Sequence, residues 1–502
     1  MGRIAVIGAG MGAMAAAARL AVAGHQVTVY ERSKTYGGSV GRFEREGFAF
    51  DTGPGLLHLP AVWRDLFMKT GKEPLEQCVE LVQVNPASRH LFADGTAVSL
   101  PNASRAGTVS ALEETLGSGA GERWGALLGR ARDTWERTRR PLLEEPLPAD
   151  PAPLEREPYP GLKSGLLRRP PTTLAEVGRR ELRDPRLAAL LESYALAYGF
   201  DPAGAPASAA VLPYMEQTFG SWYVRGGIRA LADAVHERCR ARKVTFVFGA
   251  EVTGVMEKDG RAAGLQLAGE FVEADQVVSG APVPALYRDQ VVAWESQDEW
   301  PRHQTGARTG RVTLCLALRG PRPADAVHRT VVHSADREDE LESLARGRLA
   351  ERPTVVVLRP DDDRLRPDGD HESVTVTATV PAGGMHASEN LWAREPETVE
   401  AFADRMTQAA EAALPGLSER LLWREVRTPA DTFRETGTYQ VPGPALAGAR
   451  GALLPADNRS PLPGLHFAGG WAHPGGGLAH AGMSGALVAG LIVEGADFRG
   501  SR

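Results

Sequence analysis

The stretch of sequence that decides the fold lies at residues 3–31 and reads RIAVIGAGMGAMAAAARLAVAGHQVTVYE. Its apolar beginning, residues 3–7, predicts a short buried strand, and residues 27–30 predict a second one. Between them, residues 14–23 are rich in alanine and leucine and predict a helix, which Gly24 ends. This order of strand, glycine-rich turn, helix and strand is typical of a unit that binds a dinucleotide.

The residues of this unit each suit one part of a dinucleotide. Gly8 permits the tight turn after the first strand, and Gly10 lets backbone N–H groups approach a pyrophosphate at the positive end of the helix. Ala13 stands where a third glycine often allows close helix–strand packing, and Glu31 can accept hydrogen bonds from the ribose hydroxyls. We expect these four residues and Gly12 to contact the ligand. The alternative is a glycine-rich turn in an unrelated α/β unit.

Length and composition restrict the class of protein. The 502 residues correspond to roughly three folding units of about 150 residues. Hydrophobic residues make up 43% of the chain, which suits a large core, and the net charge of -6 argues against nucleic acid as a partner. No stretch reaches the roughly 18 apolar residues that span a bilayer. Three scattered cysteines and 12 histidines form no disulfide framework or metal-binding pattern. Because the nucleotide unit begins at residue 3, we expect no signal peptide and a cytoplasmic protein.

The segment after Glu31 distinguishes between cofactors. It contains Arg32, then the run Gly37-Gly38-Ser39-Val40-Gly41-Arg42, then residues 48–54. This segment resembles the large FAD family that includes amine oxidases and carotenoid desaturases, whereas a simple NAD domain continues with another helix. The resemblance implies FAD as the cofactor, with Arg32, Gly38, Ser39 and Arg42 along it. The alternative for the glycine pair is a surface turn.

A second glycine-rich segment lies near the C-terminus, at residues 464–485. It predicts a strand at residues 465–468, a backbone-exposing loop at 469–477, and a helix at 483–493. A helix that starts beside a flavin stabilises negative charge on the reduced ring. We therefore expect flavin contacts from the following loop and helix residues: Gly469, Gly470, Gly482, Met483 and Ser484.

The C-terminal segment indicates a more specific family. The run His473-Pro474-Gly475-Gly476-Gly477 is similar to the C-terminal signature of the phytoene (carotenoid) desaturase family, within the amine oxidase-like flavoproteins. Residues 222–227 and 250–255 resemble two further family segments, and the second implies an adenine contact at Val252. Leu478-Ala479-His480 and Trp471 depart from the family pattern, which leaves the substrate and a secondary-metabolite branch open.

The resemblance implies an α/β fold with a glutathione reductase-type FAD domain and an interleaved α+β substrate domain under a helical lid. Strand patterns within residues 88–100, 311–318, 330–333, 354–358 and 373–380 predict an antiparallel sheet in the substrate domain. The expected division assigns FAD-binding segments to residues 1–85, 221–285 and 426–502, and substrate segments to residues 86–220, which include the lid, and 286–425.

The middle of the chain supplies a candidate membrane contact. Residues 161–169 are basic and apolar, and in the family this region lies beside the tunnel mouth. A surface loop is the alternative. We expect a cytoplasmic protein that is also able to lie peripherally on a membrane.

The candidate active-site side chains follow from their places beside the expected flavin. They are Trp471, His473, His480 and Tyr223. For His473, a structural hydrogen bond to the loop is the alternative, whereas His480 replaces a family glycine and suits proton transfer.

The chemistry expected from these residues is that of the flavin, with a C–H or C=C of the substrate held against N5. The leading hypothesis is an FAD-dependent desaturase or dehydrogenase of an apolar polyene or isoprenoid. A flavin-dependent redox cyclase of a polyene such as a polycyclic tetramate macrolactam is the second, and an amine oxidase-like enzyme is the third. A prenyl-group carrier without catalysis is the fourth. With one dinucleotide motif visible, NAD(P)H or another electron partner would act externally.

Overall fold

The structure is a computed structural model that describes residues 2–162, 171–292, 309–383, 392 and 396–500. Residues 161–169 are predicted to form a membrane contact or a surface loop. Of these, residues 163–169 lie outside the described residues. Within the described ranges, no helix combines the length and the apolarity needed to cross a bilayer.

Runs of strands and runs of helices follow one another along the chain. The strands are β1 (Arg3–Ile7), β2 (Gln26–Glu31), β3 (Arg42–Arg45), β4 (Phe48–Asp51), β5 (Leu57–His58), β6 (Leu81–Gln83), β7 (Ser88–Leu91), β8 (Ala97–Leu100), β9 (Ser221–Val224), β10 (Thr245–Phe248), β11 (Gly254–Lys258), β12 (Arg261–Gln266), β13 (Phe271–Glu273), β14 (Gln276–Ser279), β15 (Thr309–Arg319), β16 (Arg329–Val332), β17 (Val355–Leu358), β18 (His371–Pro381), β19 (Leu421–Arg427) and β20 (Leu465–Phe467). The α-helices are α1 (Met11–Val22), α2 (Ala61–Gly71), α3 (Leu75–Cys78), α4 (Arg105–Leu116), α5 (Ala120–Arg139), α6 (Ala152–Glu155), α7 (Leu174–Val177), α8 (Pro185–Ala197), α9 (Val211–Phe219), α10 (Arg229–Ala241), α11 (Val283–Arg288), α12 (Arg337–Ala345), α13 (Pro396–Ala410), α14 (Leu417–Arg420), α15 (Pro429–Thr436) and α16 (Leu478–Glu494).

Five of the described strands form a parallel sheet in the order β10-β2-β1-β14-β20. Every neighbouring pair in it runs parallel, with β1 between β2 and β14. The strands come from three distant parts of the chain, so the C-terminal strand β20 lies in the same sheet as the N-terminal strand β1. The α/β unit predicted from residues 3–31 is therefore confirmed.

Helix α1 packs between this sheet and the helices α10 and α16. Its residues 15–18 are four fully buried alanines, which let neighbouring backbones come close. A Cβ placed on Gly485 of α16 would stand 2.5 Å from the backbone oxygen of Gly12 and 2.7 Å from the nitrogen of Ala16. The small residues thus fix α16 against the N-terminal end of α1, beside the predicted nucleotide turn.

Seven described strands form a second sheet in the order β19-β15-β18-β17-β16-β7-β8. The sequence predicts an antiparallel sheet here, and its strands are found, but β16 and β7 run parallel to each other. These two strands are far apart in the chain, so no hairpin fixes their relative direction. One face of the sheet packs its valines against α13.

The helices between β8 and β9 pack on one another around their own core. That core contains the buried side chains of Trp124 on α5, Leu190 on α8 and Leu212 on α9. Helix α8 lies within the segment predicted to carry the lid, and the side chain of Asp184 caps it by accepting a hydrogen bond from the Arg186 nitrogen. The predicted helical region over the substrate domain is therefore confirmed.

Candidate cofactor and substrate site

A cavity of about 1170 Å³ extends from the turn after β1 to the face of the seven-stranded sheet opposite α13. This volume exceeds the roughly 300–1,000 Å³ of ordinary small-molecule pockets, so there is room for a large cofactor and a substrate together. Both glycine-rich segments identified in the sequence contribute to its wall.

The turn after β1 has the geometry expected of a nucleotide cradle. Gly8 has a φ of +83°, a left-handed conformation that glycine adopts without strain, and its nitrogen donates to the Tyr30 oxygen at 2.8 Å. No atom lies within 4 Å of a Cβ built on Gly10, whereas a Cβ on Gly12 would stand 2.6 Å from the Cα of Gly469. Gly10 therefore faces open space, and Gly12 is held against the C-terminal loop.

Helix α1 directs its N-terminus into the cavity. The helix begins at Met11, has no side-chain cap, and carries no acidic residue in its first turn. The first N–H groups of a helix have no partner within it, and Met11, Gly12 and Ala13 line the cavity here. Ala13 also packs against Gly280, because a Cβ built on Gly280 would lie 2.7 Å from the Cβ of Ala13. This end of the cavity suits an anion such as a pyrophosphate.

Glu31 lies at the end of β2 on the cavity wall. One carboxylate oxygen accepts a hydrogen bond from the Ala9 nitrogen at 2.7 Å, and the other accepts one from the Ser33 nitrogen at 2.8 Å. Each oxygen keeps a further lone pair. The carboxylate is therefore oriented by the backbone and still able to accept hydroxyl groups of a ribose.

The second glycine segment folds across the first. The Gly37 nitrogen donates to the Ala9 oxygen at 2.8 Å, and a Cβ on Gly38 would stand 3.1 Å from the Cα of Gly10. Gly38 and the exposed Ser39 both line the cavity. The glycine pair is thus part of the cradle and not a separate surface turn.

The two arginines predicted along the cofactor also line the cavity, and both have protein partners. Arg32 donates to the backbone oxygens of Arg434 and Glu435 at the C-terminal end of α15, at 3.3 and 3.1 Å. Arg42 forms an ion pair with Glu44 at 2.7 Å. Arg32 thus joins the end of β2 to α15, whereas Arg42 pairs within β3, and the contacts of both to a cofactor stay a prediction.

Val252 lies in the loop between β10 and β11, and this loop forms one wall of the cavity beside Glu31. Its side chain is half-buried against the core that covers the β14 side of the parallel sheet. The position agrees with the predicted contact to adenine, which stays a prediction.

The helix after the C-terminal loop begins earlier than predicted. Helix α16 starts at Leu478 after Gly477, whereas the sequence predicts a start at Met483. Gly469, Gly470 and the first turn of α16 line the cavity. The prediction that Gly482, Met483 and Ser484 form the helix start is wrong, because they lie in its second turn and do not line the cavity.

Ser484 stabilises the loop instead. Its fully buried hydroxyl accepts a hydrogen bond from the Gly469 nitrogen at 3.0 Å. The amide of Asn458, also fully buried, donates to this hydroxyl and to the backbone oxygens of Phe467 and His473. Sequence reasoning missed Asn458, because a single asparagine in a loop carries no pattern.

His473 does not reach the cavity. Its side chain is fully buried, and Nε2 donates to the backbone oxygen of Glu145 at 2.9 Å, which fixes the proton on Nε2. Burial lowers its pKa to about 4, so the ring is neutral at pH 7. The prediction of a catalytic His473 is therefore corrected to the structural hydrogen bond that was its alternative.

His480 and Trp471 do line the cavity. His480 lies in the first turn of α16, and burial, with a smaller contribution from His473, lowers its pKa to about 4. It is therefore a neutral ring near pH 7. Trp471 is half-buried beside the two loop glycines. These two side chains and the start of α16 form the wall where the N-terminal and C-terminal segments meet.

Tyr223 borders the cavity, but its hydroxyl has a partner. It donates to the Asp362 carboxylate at 2.7 Å, and burial followed by this carboxylate raises the pKa of Tyr223 far above its usual value. Asp362 also accepts hydrogen bonds from the nitrogens of Gly226 and Arg364. Asp362 is 2% exposed, so its carboxylate is a buried acceptor beside the cavity wall.

A buried ion-pair cluster at the substrate end was not predicted. Arg329 donates to Glu216 at 2.8 Å, and His58 lies 3.5 Å from the other oxygen of that carboxylate. Burial alone would raise the pKa of Glu216, but Arg329 and His58 reverse the effect and lower it. The three residues come from separate elements, and no spacing in the sequence connects them.

The residues of the cradle fit FAD. An adenine dinucleotide needs three features, and the cradle has all of them. They are a helix N-terminus without an acidic residue, a carboxylate held in place by the backbone, and two glycine segments whose Cα atoms lie close to one another. Beyond the cradle the same cavity continues to Trp471, His480 and the second sheet, which leaves space for an isoalloxazine ring and a substrate.

Comparisons with known proteins agree with this site. The profile of the family described as flavin containing amine oxidoreductase matches residues 14–493. Among curated proteins, the chain is 28% identical to a 4,4'-diapolycopene oxygenase of Methylomonas sp, over 98% of both chains. It is 28% identical to a zeta-carotene-forming phytoene desaturase of Myxococcus xanthus, over 99% of this chain and 95% of that one.

Solved structures share the fold. A putrescine oxidase structure superposes with a TM-score of 0.65 at 15% identity and covers 98% of this chain and 99% of its own. An oxidoreductase from Methanosarcina mazei gives a TM-score of 0.64 at 17% identity, over 97% and 99%. The predicted fold class, an FAD-binding α/β domain with an interleaved substrate domain, is confirmed.

Proposed function

Since the chain belongs to the flavin containing amine oxidoreductase family and is an FAD-dependent oxidoreductase, we propose that it exchanges a hydride between flavin N5 and an apolar polyene or isoprenoid. The names of the curated relatives support this substrate class, because they describe desaturation or oxygenation of carotenoids. The observation that carries the proposal is the cavity that joins the nucleotide cradle to a second space over the seven-stranded sheet.

We propose the following roles for the residues of the cradle. The N–H groups at the start of α1 bind the pyrophosphate, with Gly10 giving the access and Glu31 holding the ribose hydroxyls. Gly8, Gly12, Gly38 and Ala13 keep the backbone segments at the distances that this requires. Ser39, Arg32, Arg42 and Val252 border the same groove and complete the contacts.

FAD supplies the acceptor or donor of the hydride when it is bound. The residues from Gly477 to Ala481 place the positive end of α16 at the cavity, where it stabilises negative charge on the ring. Gly469 and Gly470 allow a close approach of the backbone, and Trp471 excludes water from that wall. His480, neutral near pH 7, orients a bound group by a hydrogen bond.

Electrons can also pass from reduced flavin to the substrate, and this direction uses the same residues. A reductive cyclase of a polyene is therefore a second proposal. The observation that favours it is the polar wall formed by β15 and β18, because a hydrocarbon cannot use hydrogen-bonding groups. In both directions we propose an external electron partner. Peripheral contact with a membrane through residues 161–169 stays a prediction.

The experiment that tests the proposed function is anaerobic reduction of the FAD-loaded protein. We expect a polyene hydrocarbon to bleach the oxidised flavin spectrum in the oxidative direction, or NADPH to do so in the reductive direction. Putrescine and benzylamine serve as amine probes. Reduction by an amine and not by a polyene or NADPH would contradict the proposal.

A further inference from the structure

The wall of the cavity over the second sheet is more polar than an apolar substrate requires. Along β18 the residues alternate between the two faces of the sheet. Those that face α13 are valine and alanine, whereas four that face the cavity carry hydroxyl groups. The cavity-facing residues of β18 are Ser373, Thr375, Thr377 and Thr379.

Some of these hydroxyls have no hydrogen-bond partner among the described residues. Ser373 donates to the Leu365 oxygen, and Thr379 donates to the Leu196 oxygen at 2.7 Å. Thr375 and Thr377 have no hydrogen-bond partner in the part of the chain that the structure describes, and neither has Thr313 on β15. Thr313 lies directly opposite Thr377 in the sheet and is 7% exposed.

These hydroxyls open onto the cavity, so a polar group of a ligand there can form the hydrogen bonds that the described residues do not supply. The hydroxyls lie on a sheet whose other face packs mainly valine, leucine and alanine side chains, and valine would fill each threonine position with nearly the same volume. Their alignment across two strands therefore indicates a site for a polar group and not a requirement of packing.

An arginine stands at the end of this row. Arg311 lies two residues before Thr313 on the same face of β15, opposite Thr379. Its guanidinium donates to the Ala197 oxygen at 2.6 Å, and most of its five N–H donors have no partner in the part of the chain that the structure describes. Burial lowers the pKa of Arg311, as expected for a cation removed from water.

Arg311 differs from the other arginines of this half of the cavity. Arg329 pairs with Glu216, and Arg427 pairs with Glu435. No carboxylate of the described residues lies within ion-pair distance of Arg311. A half-buried cation without an anion needs a negative group to offset its lost hydration, and the open side of Arg311 is the cavity.

We propose that the substrate carries an anionic oxygen group, a carboxylate or an enolate, that binds to Arg311 and accepts hydrogen bonds from Thr313 and Thr377. The rest of the molecule is the polyene or isoprenoid of the proposed function, on which this inference rests. The apolar part of the cavity, which includes Leu196, Val356 and Leu358, receives that chain. Charge-assisted hydrogen bonds at one end fix which carbon of the chain faces the flavin.

The test is equilibrium binding of three matched probes to the FAD-loaded protein without turnover. They are a conjugated polyene monocarboxylate, its methyl ester and the hydrocarbon of the same chain length. We expect the acid to bind at least ten-fold more tightly than the ester or the hydrocarbon. In Arg311→Gln the acid loses about 10- to 100-fold in affinity, while the hydrocarbon is unaffected. Arg311→Lys, which keeps the charge, retains part of the preference.

A second variant does not depend on the arginine. Thr313→Val keeps the shape of the side chain and removes one donor, so the acid binds about 3- to 10-fold more weakly and the hydrocarbon does not. Thr108→Val is its matched control, since Thr108 is fully buried on α4, its hydroxyl has no partner, and it does not line the cavity. Arg352→Gln, at an exposed arginine, is the control for charge.

Equal affinity of wild type for the three probes would overturn the inference, as would an acid preference that survives in Arg311→Gln. These outcomes are distinct from failure of the proposed function. If polyenes reduce the flavin but the acid has no advantage in binding, the inference alone fails. If no polyene or NADPH reduces the flavin, the proposed function fails whatever the binding data show.

Discussion

Glu31 is the single side chain whose loss we expect to weaken cofactor binding most. In Glu31→Ala, the ribose hydroxyls lose an acceptor that the Ala9 and Ser33 nitrogens hold in place. We expect the Kd for FAD to rise about 10- to 100-fold, because hydrogen bonds to a charged group are strong. Fluorescence titration of the apoprotein with FAD measures the effect.

The control for Glu31→Ala is Glu270→Ala, an exposed carboxylate outside the cavity. Its Kd for FAD should equal that of wild type. An unchanged Kd in Glu31→Ala, with the thermal midpoint also unchanged, would mean that the ribose is not bound at this carboxylate.

The buried histidines make the folded chain sensitive to acid. Burial lowers the pKa of His466, His473 and His480 to about 4 in each case. Because the unfolded chain binds these protons below about pH 6.5 and the folded chain does not, stability is complete above that pH and falls as the pH drops toward 4. We expect His473→Gln, which can keep the bond to Glu145, to reduce this loss by roughly 2–3 kcal/mol.

Denaturant unfolding at pH 7 and at pH 4 measures this difference for wild type and His473→Gln. A wild-type stability that does not change over this interval, or a variant with the same loss as wild type, would mean that the His473 ring is protonated in the fold.

At the scale of residues, the sequence predicts what depends on local spacing. Gly8, Gly10 and Glu31 lie where their motif predicts, because one strand, turn and helix position them. The contacts of Asn458, Arg311 and the Glu216–Arg329 pair depend on segments far apart in the chain. Nothing in their neighbouring residues distinguishes them from ordinary polar side chains.

At the scale of elements, the turn after β1 contains two glycines, Gly10 and Gly12, whose replacement by alanine we expect to affect thermal stability differently. A Cβ on Gly10 meets no atom within 4 Å and its φ of -72° suits alanine, so Gly10→Ala keeps the fold and obstructs the phosphate. A Cβ on Gly12 stands 2.6 Å from the Gly469 Cα, so Gly12→Ala separates α1 from the C-terminal loop. We expect weakened FAD binding in both variants, and a thermal midpoint lowered by several degrees only in Gly12→Ala.

Thermal unfolding of the two apoproteins and FAD titration of each separate these effects. Equal thermal midpoints for Gly12→Ala and wild type would contradict the tight contact between the turn and the loop. Unchanged FAD affinity in Gly10→Ala would contradict a phosphate at the open side of the turn.

Helix α16 starts earlier than the sequence predicts. The sequence predicts a loop at residues 469–477 and a helix from Met483, but Gly477, with a φ of +99°, ends the loop and Leu478 already starts the helix. Residues 478–481 contain two alanines and a leucine, which are good helix formers. The parallel direction of β16 relative to β7 could not be predicted from the sequence either, because parallel pairing of distant strands has no local sequence pattern.

At the scale of the whole molecule, three distant parts of the chain build one parallel sheet. We propose that the FAD domain consists of residues 1–85, 221–285 and 426–502, with residues 86–220 and 286–425 as the substrate domain. The cavity lies where these parts meet, so the arrangement explains why both glycine-rich segments are needed for one site.

We propose that one cavity holds FAD and a polyene side by side for hydride exchange. An anaerobic single-turnover reaction tests it most directly, with flavin reduction followed by absorbance and the polyene analysed by mass. We predict that one polyene loses two hydrogen atoms for each FAD reduced, or gains two for each reduced FAD that is oxidised. A flavin that changes redox state while the mass of the polyene stays constant would contradict the claim.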